Sequence, residues 1–149
     1  MTAGRVEAIN IGPPEKLPGP VERVRADAGK GLAGNRYYFE DGARAGQAMT
    51  LIAAEALEAL AAEHGIEITA AESRRNVLTR GIDLNALVGK RFRVGEVECV
   101  GVELCEPCTH LESLTQPGVI KGLTHRGGLN ADILSNGEIA VGDEVVATD

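Results

Sequence analysis

Tryptophan is absent from these 149 residues, and tyrosine and phenylalanine occur twice each. So few aromatics leave no platform on which successive bases could stack, which argues against recognition of single-stranded nucleic acid. Cationic residues are also short in supply: 15 Lys and Arg against 22 Asp and Glu give a formal net charge of −7. Non-specific binding to a duplex draws on clustered cations that release counterions, and this balance opposes it. Cysteine is scarce and odd in number, at Cys99, Cys105 and Cys108. An odd set of free thiols suits a reducing compartment better than a secreted disulfide framework, so the expected location is the cytoplasm. Long apolar runs are missing as well. The most apolar stretch, Leu51 to Ala62, carries Glu55 and Glu58 and is too short to cross a bilayer. Met1 to Asn10 lacks the charged start and apolar run of an export signal. Neither nucleic acid nor a membrane is expected as a partner.

The hydrophobic fraction of 44% is ordinary for a globular chain, so a core can form without disulfides, and one domain over residues 1–149 is the expectation. Arg5-Val6-Glu7-Ala8-Ile9 alternates as a first strand, and the prolines between Pro13 and Pro20 make Gly12 to Gly19 a surface loop. Val21 to Ala26 alternates again. Gly29, Gly31 and Gly34 mark an irregular segment that ends in Gly34-Asn35-Arg36. One helix is expected over Leu51–His64, with Thr50 as N-cap, Gly65 just past its end, and a face of Ile52, Leu57 and Leu60 packed on a sheet. Arg74 to Gly81 reads as a loop entering a strand, and Asp83 as the cap of one helical turn through Leu87. Arg91–Val94, Gly95-Glu96 and Val97–Leu104 read as a hairpin. Ile139-Ala140-Val141, Gly142-Asp143 and Val145-Val146 echo that hairpin grammar. Many short strands and one convincing helix point to a barrel or sandwich with peripheral helices.

Chemistry concentrates in Cys105-Glu106-Pro107-Cys108-Thr109-His110. A C-x-x-C pair can be a dithiol redox centre, although the helix N-terminus that normally activates it is only half signalled here. A zinc site would take Cys105, Cys108 and His110 but lacks a fourth ligand at familiar spacing. The third reading is a single functional thiolate, Cys108, able to ligate a soft metal or to carry a persulfide. Cys99 alternates within a strand and reads as an inert core residue, a role that also fits Cys105 moderately. The arginines form the second signal, because Arg36, Arg74, Arg75, Arg80 and Arg126 all sit beside Gly or Asn in loop-like positions. Arg126-Gly127-Gly128 is the sharpest case: two glycines let backbone N–H groups approach an anion, and the guanidinium adds a bidentate fork. His64 ends the helix and reads as a surface group, while His110 and His125 lie near these two segments and could donate protons or serve structure.

The ordered set of Gly34-Asn35-Arg36, Arg75-Asn76, Thr79-Arg80-Gly81-Ile82-Asp83, Leu87 to Gly95, Glu106-Pro107-Cys108, Arg126-Gly127-Gly128-Leu129 and Gly142-Asp143 resembles the MOSC domain, named for the C-terminal domain of molybdenum cofactor sulfurases. The resemblance runs from about Val6 to Val145. It implies a mainly β fold, a closed or nearly closed barrel with a few peripheral helices, and a molybdenum cofactor of the molybdopterin type. By the same resemblance Cys108 is the metal ligand and catalytic cysteine. Arg75, Asn76 and Arg126, with Gly127 and Gly128, help hold the pterin and its phosphate. Arg36 falls on the Arg of a Gly-Asp-Arg pattern in which Asn35 here replaces Asp. Relatives include reductases of N-hydroxylated small molecules, which need an electron-transfer partner protein, and proteins linked to sulfur transfer, in which the cysteine hands sulfur to an acceptor. Both classes, an oxidoreductase and a non-catalytic carrier of sulfur (as a persulfide on Cys108) or of the cofactor, are carried forward.

Overall fold

The alternation at Arg5–Ile9 becomes the first strand of a computed structural model that describes residues 3–14 and 16–149. Glu15, within the expected Gly12–Gly19 loop, lies outside the described residues. Among the described residues there are eleven strands, in order: β1 (Gly4–Ile11), β2 (Gly19–Val21), β3 (Arg23–Asp27), β4 (Gly31–Leu32), β5 (Met49–Ala53), β6 (Val77–Arg80), β7 (Arg91–Val94), β8 (Val97–Leu104), β9 (Leu129–Ile133), β10 (Gly137–Ala140) and β11 (Glu144–Ala147). Seven of them close a barrel in the order β11-β7-β8-β9-β5-β6-β1, sealed where Gly4 and Arg5 pair with Val145 and Glu144. Strand β2 extends the wall beyond β1, and β10-β3-β4 form a second small sheet. The mainly β barrel expected from the sequence is the observed fold.

Period-two alternation explains how the barrel fills. Met49 and Leu51, Phe92 and Val94, Val97 and Cys99, and Leu129, Ala131 and Ile133 alternate inward into one core, which Val6 and Ile9 join from either side of a register shift in β1. Val24, Ala26, Leu32 and Ile139 of the small sheet join the same core. Phe92 is the largest fully buried side chain. Phe92→Ala is expected to cost about 3–5 kcal/mol by leaving a cavity that the closed barrel cannot collapse, read as a lower urea midpoint with an unchanged slope.

Strands β5 and β6 are parallel, so the chain between them must cross over, and helix α1 (Ala54–His64) lies in that connection. Its buried side packs outside the barrel in a second cluster of Ile52, Ala56, Leu60, Ile66, Leu111, Val119 and Leu123, with Leu57 partly buried beside them. The last three buried residues belong to helices α2 (Thr109–Leu114) and α3 (Val119–Leu123). Gly65 ends α1 in the left-handed region at φ 66°, donating to the carbonyls of Ala61 and Leu60, as its position after His64 predicts.

The structure corrects three details of the sequence reading. Helix α1 starts at Ala54 without a side-chain cap, so Leu51 and Ile52 are strand residues and Thr50 is not an N-cap. Pairing of Met49–Leu51 with β9 and of Leu51–Ala53 with β6 overrides the local helix signal, and the Thr50 hydroxyl instead serves Asn76. The expected strand Val21–Ala26 is two strands: Val21 pairs with Ile9, the chain bends at Glu22, and Arg23–Ala26 pair with β10 in the other sheet. The C-terminal echo is no hairpin, because β10 joins β3 while β11 joins β7 and β1. The Arg91–Val94 and Val97–Leu104 hairpin forms as expected, and Asp83 caps a 3₁₀ turn, Leu84–Leu87, by accepting from the Asn85 N–H at 3.1 Å. Among the described residues no helix is long and apolar enough to cross a membrane.

Candidate functional site

A cleft of about 650 Å³ opens where three loops meet at the end of the barrel. That volume lies within the roughly 300–1,000 Å³ of small-molecule sites. The loop from β4 to β5 contributes Asn35, Arg36, Tyr37, Phe39 and Gln47. The approach to β6 contributes Arg74, Arg75 and Asn76, and the segment after β8 contributes Cys105, Glu106, Cys108 and His110. Pro14 and Pro18 stand at the rim. The structure therefore brings Cys108, Arg36, Arg75 and Asn76 together, although they are far apart in sequence.

The lining residues divide into those already occupied and those left free. Asn76 is buried and spent on structure: its Nδ2 donates to the Asn10 carbonyl at 3.1 Å, and its Oδ1 accepts from the Thr50 N–H and hydroxyl, each at 3.1 Å. Arg75 is buried too. Its guanidinium donates to three carbonyls, Gly127 at 2.8 Å, Cys105 at 3.0 Å and Ser73 at 3.2 Å, so it ties the cysteine segment to the start of β9. Arg74 and Asn35 differ. Arg74 holds the left-handed backbone at φ 61° and donates from Nη2 to the Lys16 carbonyl at 3.2 Å, yet its Nε is buried with no hydrogen-bond partner. Burial, and then the neighbouring Arg36, push the Arg74 pKa down. Asn35 is buried, accepts from the Gly12 N–H at 3.3 Å, and leaves its Nδ2 without a partner. Arg36 lies with its guanidinium over the Tyr37 ring, 5.1 Å from the centroid. Buried donors without acceptors cost free energy, and two such donors, Arg74 Nε and Asn35 Nδ2, belong to residues that line this cleft beside Arg36.

The three thiols occupy three environments. Cys99 is fully buried, and burial pushes its pKa up to about 12. It should resist alkylation until the protein unfolds, which counting labelled thiols with and without denaturant will show. Cys105 is half-buried, with burial raising its pKa against the opposing pull of Arg75. Cys108 is exposed, sits at the N-cap of α2, and accepts from the Leu111 N–H at 3.5 Å. Among the described residues no three His, Cys, Asp or Glu side chains form a metal-binding group, and Cys105, Cys108 and His110 share the cleft without making one.

Arg126, Gly127 and Gly128 are placed differently from the sequence reading. Arg126 does not line the cleft: its Nε donates to the Gly122 carbonyl at 2.8 Å and its Nη2 to Glu63 at 3.0 Å, beside a separate pocket next to α1. The glycines answer a packing need. A Cβ on Gly127 would stand 2.5 Å from the Cys105 carbonyl oxygen, and one on Gly128 would stand 2.2 Å from that of Leu51. His64 is exposed at the end of α1, as its position predicts. Sequence reasoning missed the orphaned amide of Asn35 and the free Nε of Arg74, because nothing local tells which of Arg74 and Arg75 turns into the wall. It also missed the clamp between Glu106 and His125, whose Nδ1 lies 2.8 Å from the carboxylate.

The profile of the MOSC domain matches residues 14–146. The chain belongs to the MOSC domain family. This MOSC domain is similar in fold to the YuaD protein of Bacillus subtilis, with a TM-score of 0.81 and 18% identity over 97% of this chain and 94% of that one. It is similar also to YiiM of Geobacillus stearothermophilus, with a TM-score of 0.77 and 18% identity over 98% of this chain and 75% of that one. For YiiM of Escherichia coli the TM-score is 0.70 and the identity 16%, over 97% and 70% of the two chains. At these identities the likeness is one of fold. No curated protein matches the chain. The MOSC family is associated with the molybdenum cofactor and with sulfurase-like function.

Proposed function

We propose that this MOSC domain holds the molybdenum cofactor in the 650 Å³ cleft with Cys108 as thiolate donor to the metal, and that the loaded protein is a reductase of N-hydroxylated small molecules. One observation carries the reading. An exposed thiol, Cys108, shares a cleft with two buried, unpartnered donors, Arg74 Nε and Asn35 Nδ2. A soft thiolate suits a sulfur-rich molybdenum centre, and orphaned N–H groups beside two arginines suit the anionic, phosphate-bearing end of the same ligand. The residues present therefore fit the group. Arg36 and Arg74 would take its anionic end, while Arg75 and Asn76 shape the floor from beneath. Arg126, committed to Glu63 and Gly122, has no part in holding it.

The bound cofactor supplies two-electron redox chemistry, and the overall reaction balances as R₂N–OH plus two electrons and two protons giving R₂NH plus water. A separate electron-transfer protein is the proposed source of the electrons and a small N-hydroxylated molecule the proposed substrate. The protein's own contribution is to present the exposed Cys108 thiol to the cleft, neutralise the ligand's negative charge, bury Cys99 in the barrel core and hold Cys105 half-buried. The test is metal analysis of protein made in a host that synthesises the cofactor, with turnover of an N-hydroxylated compound under an artificial electron donor. About one molybdenum per chain with turnover is the expected result. Metal-free protein with a persulfide on Cys108 would transfer the case to a sulfur carrier, and metal-free protein with an unmodified Cys108 would defeat both readings.

A further inference from the structure

Residues between β8 and β9 leave the barrel and return to almost the same point. The Cys105 N–H donates to the Gly128 carbonyl at 2.8 Å, which closes the base of the excursion. Within it Glu106 reaches across to the far end. One carboxylate oxygen accepts from the His125 backbone N–H at 2.7 Å, and the other lies 2.8 Å from His125 Nδ1. His125 holds a left-handed backbone, φ 63°, that an L residue with a side chain rarely adopts. Its peptide carbonyl is pinned as well, accepting from Asn85 Nδ2 at 2.7 Å. An unfavourable backbone persists only where the surroundings over-determine it. Here two side chains from different elements hold one residue.

The contacts form a ring. Cys108 begins α2, with the Leu111 N–H on its sulfur and the Glu112 N–H on its carbonyl at 3.0 Å. Glu112 accepts from the Gly118 and Ile120 N–H groups at 3.0 and 3.1 Å, which fixes the start of α3 to α2. Helix α3 leads into His125, and His125 returns to Glu106, two residues before Cys108. Pro107 fixes the backbone between them. We propose that Glu106 is a positioning residue for Cys108 and acts through His125: their clamp closes the ring that keeps the thiol fixed on the cleft. Its role in holding the cofactor rests on Cys108 being the metal donor argued above.

Amide hydrogen exchange in the metal-free protein reads the clamp directly, because the Leu111 and Glu112 amides report the cap at Cys108. Glu106→Ala is expected to speed exchange there about tenfold while the amides of β8 and β9 keep their protection. Glu106→Gln, which keeps an oxygen for the His125 N–H, should restore most of it. His125→Gly relieves the left-handed backbone and so tests the clamp in a variant that will fold, with an intermediate loss at Leu111. The double variant Glu106→Ala with His125→Gly should match Glu106→Ala alone, since two residues acting as one unit do not add. Molybdenum content of Glu106→Ala from a cofactor-producing host should fall about tenfold. Additive effects, or unchanged exchange at Leu111 and Glu112, would overturn the proposal. A wild type that takes up no molybdenum would sink Cys108 as donor, and with it the part of Glu106 in uptake, whatever the exchange data show.

Discussion

Protein carrying Cys108→Ala, purified from a host that makes the molybdenum cofactor, is expected to retain no molybdenum above background. The loss should be on the order of a hundredfold or more, since removing mere outer-shell partners of a metal already costs about 10–100-fold. The nearest alternatives, the Thr109 hydroxyl and the exposed His110 imidazole, are harder donors that match a sulfur-bound metal poorly. Cys105→Ser should behave differently: that thiol is half-buried, its backbone is tied to Gly128 and Arg75, and it should leave metal content largely intact. Equal losses from the two variants would favour paired dithiol chemistry. Arg74→Ala should weaken retention by roughly 1.5–3 kcal/mol, the range for a hydrogen bond to a charged group, because its free Nε is the donor awaiting an acceptor. Arg126→Ala should leave retention unchanged, since its guanidinium is already on Glu63. Metal analysis of the four variants beside wild type decides among these outcomes.

The contrast between Arg74 and Arg126 shows how much of the site the sequence carried. The exposure of Cys108 was legible because Pro107 forbids regular structure before it, whereas Cys99 alternates with its strand and is buried. The barrel was legible because inward residues repeat with period two in β7 and β8, and because the Gly95-Glu96 turn joins a true hairpin. What local pattern could not carry was which of the cleft's arginines is spent on backbone carbonyls and which keeps a donor without a partner. Arg74 and Arg75 are neighbours in a loop, and only the carbonyls of Ser73, Cys105 and Gly127, brought together by three segments, turn Arg75 inward and leave Arg74 on the wall. Thr50 failed as a cap for the same reason: its neighbours are claimed by β6 and β9, and strand pairing outweighs a cap worth about 1 kcal/mol.

Gly128→Ala should be the most destabilising single-methyl change near the site, costing about 4 kcal/mol in metal-free protein. Its backbone holds φ 120°, a region that costs about 1–3 kcal/mol for a residue with a side chain. The new Cβ would also stand 2.2 Å from the Leu51 carbonyl oxygen, in a strand locked between β6 and β9, so relief requires moving barrel backbone. Overpacking of that kind adds about 1–3 kcal/mol. Gly65→Ala provides the comparison: its φ is 66° but open space surrounds the site, so only the conformational cost of about 1 kcal/mol should appear. The Arg126-Gly127-Gly128 string can also be read as a cradle for an anion, and the two readings separate cleanly in urea. A cradle would lose ligand and keep its midpoint when Ala replaces Gly128. Close packing must lose the midpoint with no ligand present, because the colliding atom belongs to Leu51 and not to anything bound.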